Sequence, residues 1–255
     1  MDLRRVLHTA ALGWALLCLA PPPVFAQSPE FSRMAVSGIR DLEASVTVVK
    51  ADLPQLEKIN KDFGIAYRLR EVTIHYKEPD KFRMDSRLGM LVVNGPTRYL
   101  RVPQLGIRRR DDVGQSLSRR HSLLDLGLIT VSRLDQFVTK FLRTEVIRDR
   151  TAHAFELKLK DADSDRYVVW VDPDRKIILR RRWLDAEGQT RATFDYLEPR
   201  EVAPGLWLPT RIEVRNPAGE LAGTTAYTEI KVNQDPPDEL FAIEGGATAK
   251  PAAQR

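Results

Sequence analysis

The sequence predicts an α+β domain that is mainly β: a strongly curved antiparallel sheet with helices covering its open mouth. Three observations predict it. From Tyr167 to Val232 strand-forming runs follow one another, Tyr167–Val171, Ile177–Leu184, Arg191–Tyr196, Leu206–Val214 and Leu221–Val232. They are separated by Asp172-Pro173-Asp174, Glu187-Gly188, Pro204-Gly205 and Pro217-Ala218-Gly219, which reverse the chain locally because proline fixes φ and glycine tolerates positive φ. Upstream, only two longer stretches carry helical spacing, and a sheet of this size must bury one face under whatever helices are on offer.

The chain opens with Arg4 and Arg5, an apolar run from Ala10 to Ala20, Pro21-Pro22-Pro23, and the small-residue pattern Val24-Phe25-Ala26 before Gln27. This is the layout of a cleavable secretory signal, with a run too short to span a bilayer as a helix. Residues 1–26 are therefore expected to be removed, leaving one domain over residues 27–243 and a disordered tail, residues 244–255, rich in Gly, Ala and polar residues. The single cysteine, Cys18, follows Leu17 and leaves with the signal. The mature chain then has no thiol for a disulfide, a nucleophile or a soft-metal site, and its stability must come from a core. About 229 residues are enough for one large β domain. Loss of Arg4, Arg5 and Asp2 lowers the formal net charge from +5 to +4. In an exported protein that mild excess suits anionic lipid headgroups, not nucleic acid.

Along the mature chain, Met34, Ala35, Ile39 and Leu42 fall at helical spacing and predict an amphipathic helix from Phe31 to Leu42. The β-branched run Val46-Thr47-Val48-Val49 predicts a strand over 44–51, and Pro54 a short helix over 53–61. Ala66 to Lys77 reads as one long strand whose apolar face switches parity, from Tyr67 and Leu69 to Val72, Ile74 and Tyr76; a bulge near Arg70 reconciles the halves. Glu78-Pro79-Asp80 turns into a strand from Lys81 to Asp85. Leu88–Val93 and Thr97–Val102 flank Asn94-Gly95, a hairpin signal because both residues accept positive φ.

Residues 104–121, with Arg108-Arg109-Arg110 and Arg119-Arg120, read as an irregular basic excursion. A second amphipathic helix is expected next, with Leu134, Phe137, Val138, Phe141 and Leu142 on one face and Ser132 with Asp135 as a capping box. Leu134, Phe137, Val138 and Phe141 are the lid candidates. Ala154–Leu159 alternates Phe155, Leu157 and Leu159 against Glu156, Lys158 and Lys160, a strand.

The residue types that carry exported enzyme chemistry do not converge. His75, His121 and His153 are widely spaced with no HExxH, and Ser116 and Ser118 lack a Gly-x-Ser-x-Gly elbow. Asp161-x-Asp163-x-Asp165, with Asp172 in twelfth place, begins like a calcium loop. Arg166 stands where that loop needs glycine, so a polar hairpin turn is the expectation. Asp111-Asp112 beside three arginines, and Arg180 to Arg182, read as solvated charge. No catalytic residue, metal or cofactor is expected. The candidate functional surface is apolar: Ile74, Tyr76, Phe82, Met84, Leu91, Val93, Phe155, Leu157, Val169, Val171, Ile177, Leu179, Phe194, Tyr196, Ile212 and Val214. Alternation alone cannot distinguish a filled core from a cavity wall, and without further signal a filled core is the first expectation.

A resemblance bears on that choice. Tyr76-Lys77-Glu78-Pro79-Asp80-Lys81-Phe82-Arg83-Met84, followed by Asn94-Gly95 and Tyr99, resembles the first half of the lipoprotein carrier superfamily of LolA and LolB. Trp170-Val171-Asp172-Pro173, Ile177 to Trp183, Gly188, Phe194-Asp195-Tyr196 and Asp238-Glu239-Leu240-Phe241 are similar to its second half, especially in the outer-membrane lipoprotein-sorting branch. The likeness spans roughly residues 31–243, with residues 53–64 as an insertion. It implies an unclosed β-barrel of about eleven antiparallel strands, with helices as a lid over an apolar cavity that takes acyl chains. The sixteen apolar candidates would then bind lipid, in a monomeric, periplasmic, non-enzymatic carrier whose partners are lipoprotein acyl chains or lipid and proteins of the inner and outer membranes. A chain left in water costs about 0.8 kcal/mol per methylene, on the order of 10 kcal/mol for a fatty chain, and a concave apolar sheet removes that cost. The alternative reading keeps the fold and makes the protein an interaction or sensing module that regulates a membrane partner.

Overall fold

In the computed structural model, which describes residues 28–114, 120–160 and 166–243, thirteen strands form one antiparallel sheet. The expected signal sequence, the tail after residue 243, Ser116 and Ser118, and Asp161 to Asp165 lie outside the described residues. The first half of the sheet consists of β1 (Asp41–Ala51), β2 (Glu71–Lys77), β3 (Lys81–Ser86), β4 (Met90–Asn94), β5 (Thr97–Val102) and β6 (Ile107–Asp112). The second half consists of β7 (Phe137–Ile147), β8 (Arg150–Leu159), β9 (Arg166–Asp172), β10 (Ile177–Leu184), β11 (Thr190–Ala203), β12 (Leu206–Arg215) and β13 (Leu221–Val232). Two short α-helices, α1 (Leu53–Glu57) and α2 (Lys61–Arg68), follow β1. The spatial order is β6-β5-β4-β3-β2-β1-β13-β12-β11-β10-β9-β8-β7. Each half is a meander, the halves join through β1 and β13, and β6 and β7 remain as free edges, so the barrel is unclosed.

The turns behave as the sequence predicts. Gly95, Gly188, Gly205 and Gly219 all take positive φ. Asp172, fully buried, accepts the N–H groups of Asp174 and Arg175 on one carboxylate oxygen and an ion pair from Arg150 at 2.9 Å on the other, which locks the Asp-Pro-Asp turn.

Helices are where the structure corrects the sequence reading. Thirteen strands replace eleven, and no long helix covers the mouth among the described residues. Only a 3-10 turn, Phe31–Met34, forms within the first expected helix; Gly38 at φ +80° ends the segment, and β1 begins at Asp41. Leu42, Ala44 and Val46 point inward at period two because β1 pairs with both β2 and β13. The helix over 53–61 splits at Asn60, whose side chain caps α2 by accepting the Phe63 N–H. α2 also absorbs Ala66 to Arg68, so the parity switch near Arg70 is a helix-to-strand change at a positive φ of 48° and not a bulge.

The second expected helix is a 3-10 turn, Val131–Gln136, running into β7. Phe137 and Phe141 share a face at period 3.6 and at period 2, so spacing could not separate helix from strand. Pairing did: Phe137 lies opposite Leu159, and Phe141 opposite Phe155. Ser132 forms no capping box; the box is Ser122 with Asp125, at the start of the 3-10 turn Leu123–Leu126. The stretch 104–121 is not wholly irregular, since Ile107 to Asp112 pairs with β5.

Curvature follows from who touches whom. The His121 ring sits 4.7 Å from that of Phe82 on β3, and its Nδ1 lies 3.4 Å from Asp125, whose carboxylate meets Arg181 on β10 at 3.1 Å. Six strand spacings, about 29 Å in a flat sheet, separate β3 from β10, so the sheet curls until one short segment bridges its inner faces. Two apolar clusters fill the curl, one centred on the first half with Leu42, Ile74, Tyr76, Phe82, Leu91 and Val93, the other on the second half with Phe155, Leu157, Val169, Phe194, Tyr196 and Val214. On the opposite face of β3 and β4 the 3-10 turn Asp238–Phe241 docks as a clamp. Arg83 Nη1 donates to the Leu240 carbonyl at 2.7 Å, Asn94 Nδ2 to that of Phe241 at 3.1 Å, and the Phe241 ring is fully buried.

Candidate functional site

Of the sixteen apolar candidates, the structure gathers Phe155, Leu157, Val169, Val171, Phe194, Tyr196, Ile212 and Val214 into the second-half cluster, and Ile74, Tyr76, Phe82, Leu91, Val93, Ile177 and Leu179 into the first, with Met84 half-buried against it. Most of them pack against one another. The interior opens at the β7 edge, where a cleft of about 380 Å³ lies between the N-terminal 3-10 turn and strands β7 and β8. Its wall is aromatic: Phe31, Phe137, Phe141 and Phe155, with Leu134 beside them and Glu30, Ser32 and Thr139 among the polar lining residues. Phe31 meets Phe155 edge-on at 5.2 Å and Phe137 at 6.4 Å, and Phe141 meets Phe155 at 5.6 Å. These are favourable T-shaped contacts between rings.

Three of the four lid candidates, Leu134, Phe137 and Phe141, therefore do line a common space, from a strand and its preceding turn and not from a helix. Val138 points the other way and is 57% exposed, as strand alternation requires. Phe31 and Thr139 were missed by sequence reasoning. The signal for Thr139 was available in the strand alternative, which places 137, 139 and 141 on one face; for Phe31 none was, because its contacts are more than 100 residues away.

Beside the cleft is a polar cluster that the sequence reading had dispersed. Arg180 to Arg182 were expected to be solvated, yet alternation sends Arg181 inward, where it is 6% exposed. Arg180 pairs with Asp195 at 2.8 Å and Arg182 lies over Trp170, both on the outer face. Arg181 stacks over Phe194 at 4.5 Å and Tyr167 at 5.5 Å and pairs with Asp125. Burial works against its charge, but Tyr196, Asp125 and Tyr167 prevail and hold the proton more firmly than usual. For Asp125, burial pushes the carboxyl up, while His121, Arg181 and the Ser122 N–H together hold it well below the usual carboxylate range. Its side chain keeps 42% of its exposure, so solvent screens the pair in part. Burial raises the Tyr196 phenol, whose hydroxyl donates to the Leu124 carbonyl at 3.2 Å, and pushes Tyr227 up to about 12. His75 lies on β2 and His153 on β8, where its ring meets Phe141 edge-on at 6.2 Å, and no group of three metal-ligating side chains forms among the described residues.

Solved structures share this unclosed antiparallel sheet curled around an apolar interior. A DUF1329 family protein from Desulfovibrio piger superposes with a TM-score of 0.56 at 13% identity, over 81% of this chain and 91% of that one. A domain assigned as an outer membrane lipoprotein-sorting protein from Vibrio parahaemolyticus gives 0.56 at 11%, over 82% and 91%. A LolA superfamily protein from Nitrosomonas europaea gives 0.55 at 16%, over 83% and 94%. These neighbours match the resemblance read from the sequence, at the level of fold. No curated protein matches the sequence. A family model described as "Uncharacterized protein" matches residues 103–244, more than half of the chain, and the chain belongs to that family.

Proposed function

We propose that the protein is a periplasmic, non-enzymatic carrier that shelters acyl chains of a lipid or lipoprotein during transfer towards the outer membrane. The observation that carries this reading is the aromatic cleft at the β7 edge, about 380 Å³ and open at one side. That volume lies near the low end of the ~300–1,000 Å³ usual for small-molecule sites. The names of the structural neighbours, a lipoprotein-sorting domain among them, support the same class. Of the sixteen apolar candidates Phe155 lines the cleft, the rest being packed in or against the two apolar clusters, and the 3-10 turns Phe31–Met34 and Val131–Gln136 serve in place of a helical lid. The test is purification from membranes in mild detergent followed by lipid mass spectrometry. Acyl lipid should accompany the protein stoichiometrically; a protein that emerges free of lipid, and takes none up from vesicles, overturns the proposal.

One feature favours a second reading, a module that regulates a membrane partner. Among the described residues the β6 edge is unpaired, and the strand presents Arg108, Arg109 and Arg110, all exposed; a free edge can accept a strand from another chain. A stable complex with a membrane protein, abolished by Arg109→Pro while lipid binding persists, would select this reading.

A further inference from the structure

Next to the apolar cleft, and sharing Phe137 with it, lies a polar recess of about 30 Å³ whose lining includes Arg120, Arg133, Arg181, Asp125 and Tyr167. Arg133 and Arg181 are each 6% exposed, and the Nε of each is buried without a hydrogen-bond partner among the described residues. Arg133 spends its other nitrogens on neutral acceptors, Nη1 on Gln136 Oε1 at 3.2 Å and Nη2 on the Pro79 carbonyl at 3.0 Å, and the buried Tyr76 hydroxyl lies close beside it. Arg120 likewise donates to the carbonyls of Val113 and Gly114. Asp125 is the one carboxylate among the described residues of the recess lining, and it already serves Arg181 and His121. Among the described lining residues, three guanidinium groups thus stand with one carboxylate. A buried donor left unsatisfied costs free energy, and a buried cation without a counter-charge costs more. An anion is the chemistry that relieves both.

We infer that this recess binds the anionic head of a single-chain amphiphile whose tail lies in the apolar cleft, with the Nε–H groups of Arg133 and Arg181 donating to its oxygens. The inference rests on the carrier reading and names its ligand class. Size agrees at both ends. A space of 30 Å³ exceeds the ~10–15 Å³ that one water needs and seats about two oxygens, the measure of a carboxylate. The cleft, at about 380 Å³, suits one acyl chain and not the several of a triacylated lipoprotein. Phe137 lines both head site and tail site.

Displacement of a bound fluorescent fatty acid from the mature protein by three C16 probes delivered from cyclodextrin tests this: palmitate, palmitoyl lysophosphatidate, and the neutral 1-hexadecanol. The anionic chains should bind roughly ten- to a hundredfold tighter than the alcohol, the range expected for charge-assisted hydrogen bonds. Whichever anion binds tighter tells a free fatty acid from a phosphate headgroup. Arg133→Gln should bring the anions to the level of the alcohol and leave the alcohol unchanged, and Arg133→Lys should restore part of the preference. Equal binding of palmitate and hexadecanol by the wild type, or a variant that weakens all three probes alike, overturns the head site while leaving the carrier reading intact. If no probe binds at all, both fall. The wild-type comparison decides even if the variants do not fold.

Discussion

Substituting Gly127 by alanine separates two kinds of strain that the structure places at one residue. Gly127 closes the turn Leu123–Leu126 at φ +82°, a conformation that costs an L-residue roughly 1–2 kcal/mol. A Cβ there would stand 2.8 Å from Tyr196 Cδ1 and 3.0 Å from Pro209 Cγ. Tyr196 cannot yield, being 1% exposed and tied by its hydroxyl to Leu124, so overpacking adds about 1–3 kcal/mol. Gly127→Ala should therefore lose about 2–5 kcal/mol. Gly205→Ala is the control: its φ is +73°, but nothing lies within 4 Å of the added carbon, so only the backbone share of about 1–2 kcal/mol applies. Urea unfolding followed by far-ultraviolet circular dichroism, with the slope unchanged and only the midpoint moved, reads the difference. Equal losses in the two variants would refute the claim that the bridging turn is packed hard against β11 and β12. The same substitution should disturb the Asp125 to Arg181 pair, since Gly127 N–H caps the turn that presents Asp125.

Three further outcomes follow from the same geometry. Phe141→Asp places a charge in the aromatic cleft and should abolish acyl-chain binding in a fluorescent fatty-acid displacement assay. Val138→Asp, on the exposed face of the same strand, should leave it unchanged, and equal effects would deny the cleft its role. Phe241→Ala empties the pocket under the C-terminal clamp and should cost about 3–5 kcal/mol in chemical unfolding, the usual range for a buried ring; a loss under about 1 kcal/mol would mean that the clamp is not part of the folded unit. Asp125 has a folded pKa below its unfolded value of about 3.9, so its contribution to stability is present above about pH 4 and disappears as pH falls through the folded value. The stability gap between wild type and Asp125→Asn should accordingly hold constant from pH 7 to pH 5 and close at lower pH. A gap that persists unchanged in strong acid contradicts the assignment.

Much of the second half was legible because its signals are local. Asp172-Pro173-Asp174, Glu187-Gly188, Pro204-Gly205 and Pro217-Ala218-Gly219 mark reversals within a few residues, and the strands between them run where the apolar runs do. The chain was less legible where helix and strand periods coincide, as at Phe137 and Phe141 on β7, or where two short helices carried apolar residues into what looked like a strand, as at Tyr67. The site was legible in type but not in place: an aromatic, apolar surface was expected, yet its open part is formed by residues about 100 apart, Phe31 with Phe137, Phe141 and Phe155.

By itself, the sequence determined the class of the chain, the meander and its turns, and the inward face of most strands, because period-two alternation and positive-φ residues are properties of neighbours along the backbone. Only the tertiary structure decided that β1 closes onto β13, that Arg181 turns inward to meet Asp125, and that an aromatic cleft opens at the β7 edge. Those outcomes depend on how far the sheet curls, which is settled by side chains meeting across its hollow and is written in no single stretch of the chain.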